Sequence, residues 1–368
     1  MHMFNPTSFG PIEVKNKIVS LPFFTRYANE DGSISEQLLN HYKRIAASGV
    51  GLVVVEASAI APQFQGGASI AAYGEKSLPG LRKLADIIHA EGAAAILQIC
   101  HTGRFSYTKD CLAPSPVAPF GDPQFVPKAM SFDDIQIVSD AFASSAKTVK
   151  DAGFDGVELH GGTGYLLASF ISPRTNIRED EYGGSIENRM RFPLLVAQKV
   201  RDSVGNFPVG WRFMATERVE GGLTLEDSGK FAQQLEAQIS PCYLSVMSGT
   251  YECFALPEMQ RCDQGYMLRE AEGIKKAVSA TKIIAAGHLQ QPDFCEKVLR
   301  SGKADAIGLG RVLYCDHDWV HKAAGSQKDP ITECVQCDNC LKQLQKGKPT
   351  FCAKWSKQLR EERIGQIK

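Results

Sequence analysis

The run His160-Gly161-Gly162-Thr163-Gly164-Tyr165 places an imidazole and a phenol on one glycine-rich turn. A phenol with its ordinary pKa of about 10 stays protonated at neutral pH, so Tyr165 can deliver a proton to one carbon of a double bond while the other carbon receives hydride. His160 can donate a hydrogen bond to a substrate oxygen and draw electron density out of that bond. Each residue also has an ordinary explanation: His160 as a satisfied core histidine, and Tyr165 as an aromatic plug in a short helix running to Ile171.

Other residues suit a ligand. Gln98 carries an amide that both donates and accepts, and Arg212 is a fixed cation between Trp211 and Phe213; a flat heterocycle with a urea-like edge would match the pair. Gln98 satisfying a neighbouring backbone group, and Arg212 pairing with a carboxylate such as Glu158, is the alternative. Gly287 and the run Gly308-Leu309-Gly310-Arg311 match a phosphate site, where backbone N–H groups approach an anion and an arginine adds charge. Glycines at strand-to-helix turns that need positive φ would look the same.

The chemistry at Tyr165 needs a scaffold. Eight short apolar runs recur along the chain: Lys17 to Leu21, Gly51 to Ala57, Ala94 to Ile99, Gly156 to His160, Pro208 to Phe213, Tyr243 to Ser248, Lys282 to Ala286 and Ala304 to Leu309. Near-continuous apolar character is the pattern of parallel strands covered on both faces. Between them, Glu36 to Ser48, Pro79 to Glu91, Asp133 to Ala152, Ile186 to Val204, Leu225 to Gln238, Tyr266 to Val278 and Pro292 to Arg300 have helical periodicity. Alternation predicts a parallel sheet, and no Gly-x-Gly-x-x-Gly follows the first run, which favours a closed barrel over an open dinucleotide-binding sheet. The expected fold is α/β, a (β/α)₈ TIM barrel over 1–325 with a short cysteine-containing C-terminal extension over 326–368. All the residues named so far then converge on the carboxyl rim, where barrels of this kind do their chemistry. Two long loops flank that rim, Thr102 to Pro127 and Ser248 to Gln264, the second a candidate lid.

Length and composition agree. The chain's 368 residues exceed the roughly 250 of a plain barrel, leaving room for rim insertions and the extension. Forty-one basic side chains balance 41 acidic ones, so nothing points to nucleic acid or a membrane surface. No apolar run approaches a membrane span and the start lacks a leader pattern, so a cytoplasmic protein is expected. Seven of the 11 cysteines are scattered and read as ordinary buried thiols. The other four, Cys334, Cys337, Cys340 and Cys352, form C-x₂-C-x₂-C-x₁₁-C, which suits a 4Fe–4S cluster better than the separated pairs of a zinc ribbon. Zinc and a metal-free remnant stay open.

These residues resemble the Old Yellow Enzyme group of flavin oxidoreductases, FMN-bound (β/α)₈ barrels, from about Phe4 to Lys322. The resemblance rests on Val14 to Val19 before Pro22, Val55-Glu56-Ala57, Leu97-Gln98-Ile99 with His101-Thr102-Gly103-Arg104, and Ala113-Pro114-Ser115. It is most specific from Gly153 to Glu158 and on through Gly164-Tyr165-Leu166-Leu167, Ser172-Pro173, Asn176, Arg178, Asp180 and Tyr182 to Arg189. The resemblance implies that Pro22 and Ala57 meet the flavin through backbone, and that Gln98 and Arg212 hold its pyrimidine edge. It further implies that Gly287, Gly310 and Arg311 take the FMN phosphate, that His160 anchors the substrate, and that Tyr165 donates the proton. The family usually has Asn or His three residues after the histidine; here that position is Thr163, whose shorter hydroxyl puts the familiar unsaturated aldehyde or ketone in doubt. Arg26, after the first strand, is a candidate partner for an acidic substrate group, with a solvated surface arginine as the alternative.

The tail spacing resembles the multidomain branch of that family, which includes 2,4-dienoyl-CoA reductase and trimethylamine dehydrogenase. It implies an electron partner, an electron-transfer flavoprotein subunit or a ferredoxin, which is expected to be separate because the chain stops at Lys368. Without a cluster, NAD(P)H is the expected reductant. Small-molecule substrates are expected, and homo-oligomerisation stays open. The leading expectation is an FMN-dependent oxidoreductase reducing an activated C=C bond of an enone or enoyl thioester. The alternatives are a flavin-dependent amine or methylamine dehydrogenase or demethylase, a non-catalytic electron-transfer subunit, and, from another class, a flavin-free phosphate-binding barrel lyase or isomerase.

Overall fold

A computed structural model of the chain describes residues 1–106, 108, 111–259 and 261–365. Residues 107, 109 and 110 of the first long loop, 260 of the second and 366–368 of the extension lie outside the described residues.

Each expected strand is present: β1 (Ile18–Ser20), β2 (Leu52–Ala59), β3 (Ala94–Cys100), β4 (Gly156–Gly161), β5 (Val209–Thr216), β6 (Tyr243–Ser248), β7 (Lys282–Ala285) and β8 (Ala306–Leu309). They close in the order β6-β7-β8-β1-β2-β3-β4-β5, with β5 paired to β6 and every neighbour parallel. Closure, which alternation could only favour, follows from burial: β4 and β6 are buried at every position, so neither face is left for water. A short N-terminal hairpin, Thr7–Phe9 with Ile12–Val14, turns on Gly10 at φ +58°. Its Phe9 packs edge-on against Tyr243 at 5.5 Å between ring centroids, closing the amino-terminal end of the barrel.

The outer helices are amphipathic and capped. α1 (Glu36–Ala47) buries Leu38, Leu39, Tyr42 and Ile45 behind a Ser35 cap, and α3 (Phe132–Asp151), after α2 (Leu78–Ala90), opens on a Ser131–Asp134 capping box. The segment expected as one helix from Ile186 to Val204 is two, Ile186–Arg189 and Arg191–Val204. Pro193 is the reason, since its ring opposes the carbonyl of Arg189 and it has no N–H to offer.

The extension is held against the rim. Tyr27 Oη donates to the Thr350 carbonyl at 2.7 Å, the Thr350 N–H donates to the Thr25 carbonyl at 3.0 Å, and the Tyr314 and Thr350 hydroxyls pair at 2.7 Å. Trp355, only 3% exposed, packs on Tyr314 and carries the Arg363 guanidinium 4.5 Å above its ring. Among the described residues, no helix is long and apolar enough to cross a membrane.

Candidate active site

β4 ends at His160. Its Nδ1 accepts the Gly162 N–H at 3.2 Å, which assigns the ring proton to Nε2 and makes that atom the donor. Burial, then the charge of Arg212, pushes its pKa down to about 3, so the imidazole is neutral across the physiological range and acts as a hydrogen-bond donor rather than an acid. Gly161 has no room for a Cβ: one built there meets Trp211 Nε1 at 2.1 Å.

The chain then turns through Thr163 at φ +59° and Gly164 at φ +80° into the helix Leu166–Ile171, with Tyr165 as its N-cap. The turn is pinned by the Tyr165 N–H on the Gly162 carbonyl at 3.0 Å and the Leu166 N–H on the His101 carbonyl at 3.1 Å. This brings the His160 and Tyr165 rings to 4.8 Å between centroids, so the two residues on which the sequence reading centred do meet. The Thr163 hydroxyl is directed at Met247 Sδ, 3.5 Å away. A β-branched residue held at positive φ costs on the order of 1–3 kcal/mol, and such strain gathers at functional turns.

Beneath the turn lies a polar layer. Gln98 and Glu158 are register partners on β3 and β4, and Gln98 Nε2 donates to Glu158 Oε1 at 2.6 Å. His160 is the register partner of Arg212 on β5, and Arg212 Nη1 donates to Ser245 Oγ at 2.8 Å. Arg212 is partly exposed, and no carboxylate of the described residues lies within ion-pair distance of it. At the end of β2, pairing with β3 jumps from Val55–Leu97 to Ser58–Ile99, so Glu56 and Ala57 bulge opposite Gln98. Ala57 is the one partly exposed residue of that strand, and Pro22, two residues past the end of β1, is partly exposed as well.

Glu56 fixes the loop after β1. Its buried carboxylate accepts the Thr25 N–H at 3.0 Å, the Thr25 hydroxyl at 2.7 Å and the Tyr42 hydroxyl at 3.2 Å. Next to it Arg26 has φ +58° and lays its guanidinium against Gly67, with Glu30 at 3.9 Å. With a side chain 19% exposed, Arg26 is more enclosed than the solvated-arginine alternative expected.

Gly287, at φ +110°, is buried, and a Cβ there would meet the Met267 backbone N at 2.9 Å, so packing alone demands glycine. Gly310 caps the helix Arg311–Cys315 and is partly exposed, with only Leu21 Cβ near the position of an added methyl at 3.9 Å. Arg311 Nη1 donates to Asp338 of the extension at 2.7 Å, a contact that sequence reading did not find.

Burial pushes the Cys334 thiol up and the Cys340 thiol up to about 11, the nearby Arg311 guanidinium opposing both shifts, and Cys337 is exposed. Cys352 instead meets Cys315, one of the scattered thiols, whose S–H draws the Cys352 pKa down to about 6. Among the described residues, no three Cys, His, Asp or Glu side chains gather into a metal-holding group.

Sequence reading also missed the residues behind Tyr165. The lid loop forms a short helix, Tyr251–Phe254, whose Tyr251 hydroxyl lies 2.8 Å from that of Tyr165. Next to it Glu252 is gripped by Arg104, 2% exposed and 3.2 Å away, and by Arg174. Nothing periodic in the loop marks these contacts.

The comparisons bear on this geometry. The family model described as the NADH:flavin oxidoreductase / NADH oxidase family matches residues 2–329. The chain belongs to that family. A protein named NADH oxidase from Thermoanaerobacter brockii is 37% identical over 347 residues, 92% of this chain and 53% of that protein. The solved complex of 2-naphthoyl-CoA reductase with 2-naphthoyl-CoA superposes with a TM-score of 0.93 at 27% identity, covering 99% of this chain and 58% of the other. Histamine dehydrogenase from Rhizobium sp. 4-9 gives 0.86 at 26%, covering 98% and 53%. The chain thus spans little more than half the length of each. Membership of the NADH:flavin oxidoreductase family places the chain among flavin oxidoreductases rather than flavin-free lyases or isomerases.

Buried titratable groups of this oxidoreductase set its pH stability. Burial holds His41, His101 and His160 at about 3, so their contribution is present above the unfolded value of 6.5 and is lost as pH falls toward 3. Burial raises Glu56 and Glu158 to about 7, so theirs is present below 4.5 and is lost as pH rises to 7. By pH 5 each imidazole has lost, and each carboxyl has gained, on the order of 2 kcal/mol, so three imidazoles against two carboxyls leave a net loss of about 2 kcal/mol, to which His317, pushed down by burial in the same way, adds. Below pH 4.5 the carboxyl gain saturates while the imidazole loss continues. Thermal unfolding is therefore expected to give a Tm that falls gently from pH 7 to 5 and more steeply below 4.5; a Tm that rises on acidification would contradict these assignments.

Proposed function

We propose that this chain reduces an activated C=C bond, with an enoyl thioester or enone as the substrate class. One observation carries the reading: a neutral imidazole whose Nε2 donates and a phenol stand together at the barrel mouth, with ring centroids 4.8 Å apart. FMN bound there supplies hydride. The residues suit it. The Ala57 bulge and Pro22 offer backbone to the ring, Gln98 turns its amide carbonyl away from Glu158, and Arg212 is a cation with no carboxylate of the described residues within ion-pair distance, Glu158 acting on it only from farther off. Gly287, Gly310 and Arg311 are the phosphate side, with Gly310 the open approach.

Within that frame His160 binds the substrate's carbonyl oxygen and Tyr165 gives its phenolic proton to the carbon nearer that carbonyl. Because Thr163 turns to Met247, His160 acts without a second clamp, and this favours a thioester or an acidic substrate reached by Arg26 over a simple enone. The 2-naphthoyl-CoA carried by the naphthoyl-CoA reductase complex supports the thioester class. Amine oxidation is the second reading, favoured by the likeness to histamine dehydrogenase. Anaerobic reduction with NADH and with NADPH, followed by enones, enoyl-CoA thioesters and methylamines, separates the two. Reoxidation by a thioester or enone supports the proposal, and flavin reduction by an amine overturns it. Reduction by neither nicotinamide points to an electron-transfer flavoprotein or a ferredoxin as donor.

The four tail thiols suit a 4Fe–4S cluster in kind, although they do not gather into one set here, and no step above passes through it. Anaerobically purified protein is expected to hold about four iron and four acid-labile sulfide per chain, lost in Cys337→Ser. One zinc, or no metal, would overturn that expectation.

A further inference from the structure

The buried layer under the mouth contains a carboxylate that the proposed reaction does not use. Glu158 is 0% exposed, and as an ionised group it can only accept hydrogen bonds. Its Oε1 takes the Gln98 Nε2–H at 2.6 Å, which settles the otherwise ambiguous amide and turns the Gln98 carbonyl to the opposite side. Its Oε2 and the hydroxyl of Tyr243 are both buried with no hydrogen-bond partner in ideal geometry among the described residues, and the two groups lie near enough to influence each other. The barrel is built to allow this. Gly210 lies between the two in register, and a Cβ there would stand 2.4 Å from Tyr243 Cζ, so only glycine lets the ring cross to Glu158. One layer above, Arg212 has Ser245 as its hydrogen-bond partner and Glu158 as its main countercharge.

We propose that Glu158 is a positioning residue of the flavin site: its carboxylate fixes the sense of the Gln98 amide and offsets part of the Arg212 charge that the ring experiences. The inference rests on the FMN reading above. The arrangement is a compromise. A charge buried in the barrel is costly unless hydrogen-bonded and paired, and Glu158 has Gln98, Tyr243 and Arg212 for this purpose. Without it Arg212 would act on the flavin at full strength and would favour every anionic form of the ring. With it, the potential at the mouth is held lower, and the reduced flavin is a stronger donor.

Sulfite reads that potential without turnover, because it adds reversibly to oxidised flavin and leaves the adduct anionic. Glu158→Gln keeps an acceptor for Gln98 while removing the charge. With FMN-loaded protein at pH 8, this variant is expected to bind sulfite about tenfold more tightly than wild type and to show a higher flavin midpoint potential. Tyr243→Phe takes one donor from the carboxylate and is expected to shift both readings the same way by a smaller factor; it decides the matter if Glu158→Gln does not fold. Unchanged or weaker sulfite binding in the folded variants overturns the inference while leaving the flavin reading intact. A wild-type chain that stays colourless with excess FMN overturns the flavin reading itself.

Discussion

Tyr165→Phe is expected to slow reoxidation of the reduced enzyme by weakly activated alkenes about 10²- to 10³-fold, the range of a lost general acid. Flavin reduction by the nicotinamide is expected to stay near wild type, because no proton from Tyr165 enters that half-reaction. The phenol sits 2.8 Å from the Tyr251 hydroxyl at a partly exposed site, so its loss costs only about 1 kcal/mol of stability and a rate effect cannot be mistaken for unfolding. Strongly activated acceptors such as nitroalkenes form a stabilised carbanion that needs no immediate proton, and with them the defect is expected to shrink to a few-fold. Stopped-flow traces of the two half-reactions measure both quantities. Equal loss with weak and strong acceptors would remove the proton-donor role.

Gly161→Ala is expected to damage both fold and catalysis, although it adds one methyl group. The added carbon falls 2.1 Å from Trp211 Nε1, and Trp211 is fully buried between β5 and the helix Leu225–Ile239, edge-on to Phe231 at 5.5 Å. Neither side can yield cheaply, and overpacking of this kind typically costs about 1–3 kcal/mol. The accommodating shift falls on the end of β4, next to His160, where a displacement of about 1 Å costs about 10² in rate. Calorimetry is expected to show Tm lowered by several degrees, and turnover with a thioester is expected to drop about a hundredfold. Gly162→Ala makes a useful contrast, since its added carbon meets the flexible end of Met247 instead. Comparable damage in both variants would place the cause in the turn's backbone rather than in the wall behind Gly161.

Much of this was legible in the chain. All eight strands lie within three residues of where apolar runs placed them, because a strand covered on both faces must be apolar along its whole length. Lys282 to Ala286 and Pro292 to Arg300 show how local such information is: six to nine residues of pattern and one proline at a first helical turn are enough. His160 and Tyr165 were also legible, since one turn joins them and no other element need be known to bring them near. The thiol spacing of Cys334, Cys337 and Cys340 is local in the same way.

What the chain order concealed was every contact made by closure. Gln98 meets Glu158 across a separation of 60 residues, Tyr165 meets Tyr251 across 86, and Tyr27 reaches Thr350 across 323. Arg311 pairs with Asp338, and Cys315 meets Cys352, only because the extension folds back over the rim after β8. The need for glycine at 161 and 210 is of the same kind, since both make way for large rings from neighbouring strands. Periodicity reports which face of an element is buried, and that much the sequence determined. Which side chains then share a buried layer depends on how neighbouring strands register once the barrel closes, and only the tertiary structure decided it.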